Sequence, residues 1–491
     1  MNNQTQRILA PMLSLAAICL LGLTCQTPPS TPEKPTGPRT AQKGTPATFS
    51  TRTIEPSGLL VSYQFDWGDR NLSSWTPLGA HDSTVSDTHT YTTTGTMIVR
   101  ARAKNSKGAI SNWSDTLMVP VIAGESTLKW VYMFYDISNE DSVVFSGTVA
   151  LSADGKTVYA ISDMGYTHFI DAASGKRLVR PFQYPDAESD PISSPSVADD
   201  GRALVCYDVP RLYSVQPGGL VTWQYQLADE MTGSPAVDAQ GRIFFNADDG
   251  YLHVLNSTGG EYWAAKRTGG GPSSPAISAD GLILFVGGQD SLFRALKLSD
   301  GSLLWGPIAT QGPITGSPAI ASDGRVCFGS EDGKLRLVSP TTGNVVMTYD
   351  CGAALAASPI IGPEGTIYVT DEKGVLHAVN PSTGHARWTK PLGCMEPSTA
   401  ALTAQGVLYL VASYAGGDDS LVALNSTDGS RRWAVELPGT GDLPRCPVIA
   451  PDGSVIVTTS SAVLSFWGCG EPAASAWPMY QHDGQHTGRA R

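Results

Sequence analysis

SPSVADDG (194–201), SPAVDAQG (234–241), SPAISADG (274–281), SPAIASDG (317–324), SPIIGPEG (358–365) and CPVIAPDG (446–453) are versions of one eight-residue phrase, and their recurrence decides the fold. Two looser copies, TVALSADG (148–155) and TAALTAQG (399–406), bring the number to eight. The closing glycines stand at 155, 201, 241, 281, 324, 365, 406 and 453, a mean step of about 43 residues. A unit that short cannot bury its apolar face alone and must stack on copies of itself. About 40–45 residues is the length of one four-stranded propeller blade.

Each unit carries its own strand grammar. After the phrase comes an apolar run such as ILFVGG or IYVTD, then a polar turn, then a second run such as YLHVLN or VLHAVN. A glycine turn follows, and four residues beyond its glycine stands Trp223, Trp263, Trp305, Trp388 or Trp433. Met347 and Val179 take that place in two units. Glycine suits these turns because a tight hairpin that matches the strand twist needs positive φ. Trp130, in LKWVYMF (128–134), fits an outermost strand whose three inner partners, CPVIAPDG, VIVTTS and VLSFWG, lie at the far end of the chain. The terminal WPMYQHDGQHTGR (477–489) either takes that same edge or covers the closing blade.

These repeats resemble the pyrroloquinoline quinone (PQQ)-type repeat propellers, in which the recurring tryptophan docks one blade on the next. The resemblance implies an eight-bladed β-propeller over 128–491, with Trp130, Trp223, Trp263, Trp305, Trp388 and Trp433 as structural docking residues. It extends to the propeller lipoproteins of the outer-membrane β-barrel assembly machinery.

Residues 45–122 alternate apolar and polar positions in short runs, as in SYQFDWGD (62–69) and TMIVRARAKN (96–105), which is strand patterning. FDWGD, SSW and HTYTTTGTMIVRARAKNSKGAISNWSD resemble the PKD-type immunoglobulin-like module of bacterial surface proteins. Trp67 and Tyr91 are sized to fill the space between two sheets, while Asp66, Gly68 and Asp69 suit a tight turn. The whole chain therefore reads as all-β, an eight-bladed propeller behind a PKD-type β-sandwich.

Residues 1–24, with Arg7 ahead of the apolar ILAPMLSLAAICLLGL (8–23), read as a signal peptide, a retained anchor being the alternative. LGLTC (21–25) resembles a bacterial lipobox, which would make Cys25 the lipidated first residue of the mature chain. Residues 25–44 are rich in proline, threonine and charge, and read as a solvated tether. The expected location is the periplasm or the outer membrane and cell surface. Of the six later cysteines, Cys206 and Cys327 sit in apolar runs as buried thiols, and Cys351 and Cys394 occupy comparable loops where a disulfide would fit.

A net charge of −12 with scattered basic residues argues against nucleic acid. The chain has no nucleophile elbow, no HExxH and no phosphate loop. His482 and His486 lie four apart but beside Gly484, in the end segment. No adjacent cysteine pair and no distinct set of acidic and amide ligands supports a quinoprotein dehydrogenase with PQQ and calcium. The expectation is a monomeric, non-enzymatic binding or scaffold protein with no cofactor and no metal site, recognising envelope proteins or glycans. Acidic residues crowd the loops of one propeller face, among them Asp186, Asp190, Asp229, Asp249, Asp332, Asp371 and Asp418. That face should be strongly negative and suited to a basic partner, with the inserts 134–145 and 184–193 beside it.

Overall fold

The computed structural model describes residues 27–38, 41–93, 95–122, 128–136, 141–184, 193–207, 210–414, 419–438, 445–468 and 470–490. The apolar segment 8–23, Cys25, Cys469, Glu140, Asp186, Glu188, Asp190 and Asp418 lie outside them. No helix among the described residues is long and apolar enough to cross a membrane. The chain forms two compact units, one holding Ala47–His89 and Ile98–Leu117 with the segment up to Pro38, the other Arg39–Pro46, Thr90–Met97 and Met118–Arg491.

In the first unit Val61–Asp66 pairs antiparallel with the second half of Gly95–Asn105. Pro46–Thr51 pairs with Val85–Thr90. Trp67 is buried and stacked on Phe65 and His89, each with ring centroids 5.0 Å away. Asp66 accepts two hydrogen bonds from Arg100 at 3.1 Å, and Asp69 pairs with His89 at 2.7 Å. Both carboxylates are thus turn formers held by internal partners.

The tether reading of 25–44 does not hold for its described part. The amides of Ser30, Glu33 and Thr36 donate to the carbonyls of Ile54, Arg52 and Ser50 at 2.8–3.0 Å. Pro29, Pro32 and Pro35 are buried between them. A polyproline helix repeats every three residues, so prolines spaced by three share one face and leave the intervening amides free to pair. The composition alone pointed to solvation, and the period overrode it.

Among the described residues of the second unit, eight sheets of four or five strands follow in chain order, seven of four and one of five, and Tyr135–Asp136 pairs with Asp141–Ser142 in a separate two-stranded sheet. Strand order in space follows sequence, as in Ser196–Val197, Ala203–Cys206, Arg211–Val215 and Val221–Gln226 of the second sheet. The second strand of a sheet has a neighbouring sheet on both faces and is apolar without alternation: Ala203–Cys206, Val326–Gly329, Ile367–Thr370 and Val455–Thr458 are buried at every position. Outer strands alternate, as in Val221–Gln226 and His385–Pro391. The eighth sheet joins both ends of the unit. Leu128–Tyr132 pairs antiparallel with Val463–Phe466, Leu464 opposite Val131 and Ser465 opposite Trp130. The outer edge is therefore taken by 128–132 and not by the terminal segment.

The indoles bridge neighbouring sheets in a repeated geometry. Trp130 Nε1 donates to the Ala172 carbonyl at 2.8 Å, Trp223 to Ser257 at 3.1 Å, Trp263 to Leu298 at 3.3 Å, Trp305 to Pro340 at 2.9 Å and Trp388 to Ser426 at 3.0 Å. Each ring also lies on the turn glycine of the next sheet. A Cβ on Gly259, which has φ +85°, would come within 2.6 Å of Trp223. That glycine is needed twice, for its backbone conformation and for the room it leaves. Trp433 packs on Tyr409 with centroids 5.7 Å apart. At the two positions without tryptophan, Met347 lies under Gly384, while Phe182 instead of Val179 approaches Gly219.

Removing one indole opens a gap between sheets and strands a turn carbonyl. Trp305→Ala is expected to lower stability by about 3 kcal/mol, measured by denaturant unfolding.

Candidate functional site

The first residue of each repeated phrase, serine in five of them, threonine in two and cysteine in one, faces the axis of the ring. The amide of Thr148 donates to Ser194 Oγ at 2.9 Å, Ser194 to Ser234 at 3.2 Å, Ser234 to Ser274 at 2.9 Å and Ser274 to Ser317 at 3.0 Å. Ser317 donates to Ser358 at 2.9 Å and Ser358 to Thr399 Oγ1 at 3.0 Å. The Thr399 amide reaches the thiol of Cys446, and the Cys446 amide returns to Thr148 Oγ1 at 2.9 Å. Eight links thus close a belt of backbone donors and side-chain acceptors around the axis. Proline follows six of the eight belt residues, fixing φ and removing an amide that would otherwise compete.

The belt lines a cavity of about 750 Å³ with Ser193, Thr232, Ala357, Asp371, Glu372, Met395 and Arg445 in its wall. Tyr480 forms its floor, its hydroxyl 3.1 Å from Ser274 Oγ and 3.3 Å from Ser234 Oγ. Burial raises the Tyr480 phenol above its usual range, so it stays protonated.

Tyr480 belongs to the terminal segment, which plugs the ring. The innermost strands present amides toward the axis, and the segment supplies their acceptors. Leu151, Val197, Val237, Ile277, Ile361 and Leu402 donate to the carbonyls of Gly484, Gln485, Thr487, Gly488, Trp477 and Pro478 at 2.6–2.9 Å. Asp483 holds the turn by accepting from the Gln485 and Thr487 amides and from the Thr487 hydroxyl. His482 and His486 are both buried, and His486 Nδ1 bonds the Pro195 carbonyl at 3.0 Å. Neither lies on a helix, and no cluster of three histidine, cysteine or acidic side chains fit to hold a metal occurs among the described residues.

The acidic rim is less negative than its composition implies. Asp249 pairs with His253 at 2.9 Å, Asp290 with Arg294 at 2.5 Å, Asp332 with Arg336 at 2.6 Å and Asp371 with His377 at 3.0 Å. Each basic partner is the third residue of its strand, so the carboxylate turns inward. Burial works to raise the Asp332 carboxyl, yet its Arg336 and backbone hydrogen bonds prevail and bring it to about 2. Asp229 and Glu372 remain exposed. The predicted bridge between Cys351 and Cys394 is absent: the five described cysteines, Cys206 and Cys327 among them, are free thiols. Cys351 packs on the core around Cys327, while Cys394 packs on that around Tyr368 and Leu408, a sheet away.

A calcium-bound quinone does not fit this wall. Asp371 is committed to His377, Glu372 is exposed, and the remaining wall side chains are mostly hydroxyls and small apolar groups.

The family model described as outer membrane protein assembly factor BamB matches residues 208–360 and 331–466, together more than half of the chain. The chain belongs to this family. The PKD domain model matches residues 34–118, and a PKD domain stands at the front of the chain. BamB from Moraxella catarrhalis superposes with a TM-score of 0.54 at 17% identity, over 67% of this chain and 97% of that one. The computationally designed Ika8 protein gives 0.55 at 14% identity, over 66% and 96%. The C-terminal WD40 domain of Sif2 gives 0.54 at 10%, over 67% and 99%. At these identities the structural likeness establishes the propeller fold alone. No curated protein sequence matches the chain. Sequence reasoning missed Tyr480, which lies in a segment with no second copy, and Ser193 and Arg445, which share the position before the belt residue with Gly147, Gly233, Ser273, Gly316, Ala357 and Ser398, a site too varied in residue type to stand out.

Two buried histidines make stability depend on acid. Burial lowers His486 to about 4 and His168, which bonds Tyr132 and Ser162, to about 3. The unfolded chain protonates near pH 6.5, so their contribution is whole above that pH and is lost as pH falls toward 4. The melting temperature is expected to be level from pH 8 to 7 and to fall steadily from about 6.5 to 4. In His486→Gln that decline is shallower, as a thermal scan across pH will show.

Proposed function

We propose that the protein is a non-enzymatic binding protein of the cell envelope that uses its propeller as a rigid platform. The observation that carries this reading is the closed and plugged ring: eight sheets locked by one belt, with the terminal segment filling one end of the axis. Such a body presents loops without deforming, and it belongs to a family described as outer membrane protein assembly factor BamB. The segment 8–23 and the LGLTC sequence support export and lipid attachment at Cys25. The exposed carboxylates Asp229 and Glu372 favour a basic partner protein, held by steering more than by deep burial.

Affinity capture from envelope extracts with the full mature chain tests this. A discrete basic protein should co-elute at low salt and be lost from the Asp229→Lys, Glu372→Lys variant, with its association slowed about tenfold. Dye-linked alcohol or sugar oxidation that appears on adding PQQ and calcium would overturn the reading.

A further inference from the structure

The start of the described chain is pinned to one tip of the PKD sandwich. Asn105 ends the long strand Gly95–Asn105, and its Nδ2 donates to the Thr27 carbonyl at 3.1 Å. Three residues on, the Ser30 amide donates to the Ile54 carbonyl at 3.0 Å. Cys25 stands two residues before Thr27, and two residues of chain reach no farther than about 7 Å. An acyl group attached at Cys25 would therefore bring this tip against the membrane with no spacer between them.

The tip is apolar where solvent-facing loops are ordinarily polar. Ile54, Leu60, Leu78 and Ile110 are each 44–56% exposed, four of the six large apolar side chains that this unit exposes among its described residues. The strand ends gather them: Val61 pairs with Asn105 and bridges Gly79, Lys104 bridges Ile110, and the Leu60 carbonyl accepts from the Ser106 amide. Lysines stand among them. Lys107 is exposed, and Lys104 Nζ lies 4.2 Å from the centroid of the Trp75 ring, neither meeting a carboxylate among the described residues. The acids nearby are committed. Glu55 is buried and accepts from the Ser57 and Leu59 amides, while Glu33 and Asp82 flank Arg52.

Exposed apolar groups interspersed with lysine and tryptophan suit the boundary of a bilayer, where apolar tips sink below the headgroups and long lysine stems carry ammonium groups up to the phosphates. We propose that this tip of the PKD module docks on a bilayer surface bearing anionic headgroups, beside the acyl chain of Cys25. The inference rests on the lipid attachment proposed above and adds to it a second, non-covalent contact that sets the orientation of the module on the membrane.

Vesicle co-sedimentation of the full mature chain carrying Cys25→Ser tests the tip without the lipid. At millimolar lipid the chain should bind vesicles of phosphatidylethanolamine and phosphatidylglycerol, bind those of phosphatidylcholine about tenfold less, and lose that difference in high salt. Ile54→Ser, Leu60→Ser and Ile110→Ser in one chain should weaken binding by about tenfold or more, with the melting temperature held because these side chains already face water. Lys104→Gln with Lys107→Gln should remove the preference for phosphatidylglycerol. No binding, equal binding to both kinds of vesicle, or unchanged binding by the triple variant would overturn the proposal. So would a dimer of the full chain that the triple variant abolishes, which would assign the tip to a second copy. The anchor is read separately, by whether the unaltered chain stays with membranes in high salt while the Cys25→Ser chain washes off. An anchored chain whose Cys25→Ser form ignores vesicles sinks the tip alone; a chain that carries no lipid yet binds vesicles sinks the anchor alone.

Discussion

The structure depends on one repeated hydrogen bond, from a backbone amide at the start of each innermost strand to the hydroxyl or thiol of the equivalent residue in the next sheet. Each link is modest alone, about 1 kcal/mol of net stability. Its importance lies in closure. Because the eighth donor returns to the first acceptor, no sheet can rotate without breaking two links, and the indole contacts farther out are aligned by the same constraint. The phrase Ser-Pro is therefore a joint. The serine supplies the acceptor, and the proline silences the following amide.

Closure at the axis leaves a second problem, which the terminal segment answers. Innermost strands carry edge amides that face the channel and need partners. The carbonyls from Trp477 to Gly488 meet them one sheet after another, while Asp483 braces the coil. The polar residues of that segment are thus spent on backbone satisfaction, which explains why two buried histidines occur there without metal-binding geometry.

Much of this was legible in the chain, because repetition turns a weak local signal into a strong one. The eight phrases and the spacing from turn glycine to tryptophan could be read directly, since every copy obeys the same twist and the same gap. What could not be read was what happens only once. The terminal segment has no second copy, so its place on the axis is invisible to a period. The acidic loops misled for a different reason: DGYLH, DSLFR, DGKLR and DEKGVLH each carry their own arginine or histidine partner four or six residues on, and a count of carboxylates ignores it. Prolines 29, 32 and 35 likewise look like a spacer until their three-residue step is noticed.

The pairing of Leu128–Tyr132 with Val463–Phe466 also has a kinetic consequence. More than three hundred residues separate the two strands, and the plug lies farther along still. During synthesis no nascent chain can complete the eighth sheet, so the ring stays open until the last strand has emerged. Such high contact order slows folding and concentrates it into a late, cooperative step. For the exported protein proposed above, that delay would keep the chain unfolded during translocation, because the ring closes only once its last strand is present.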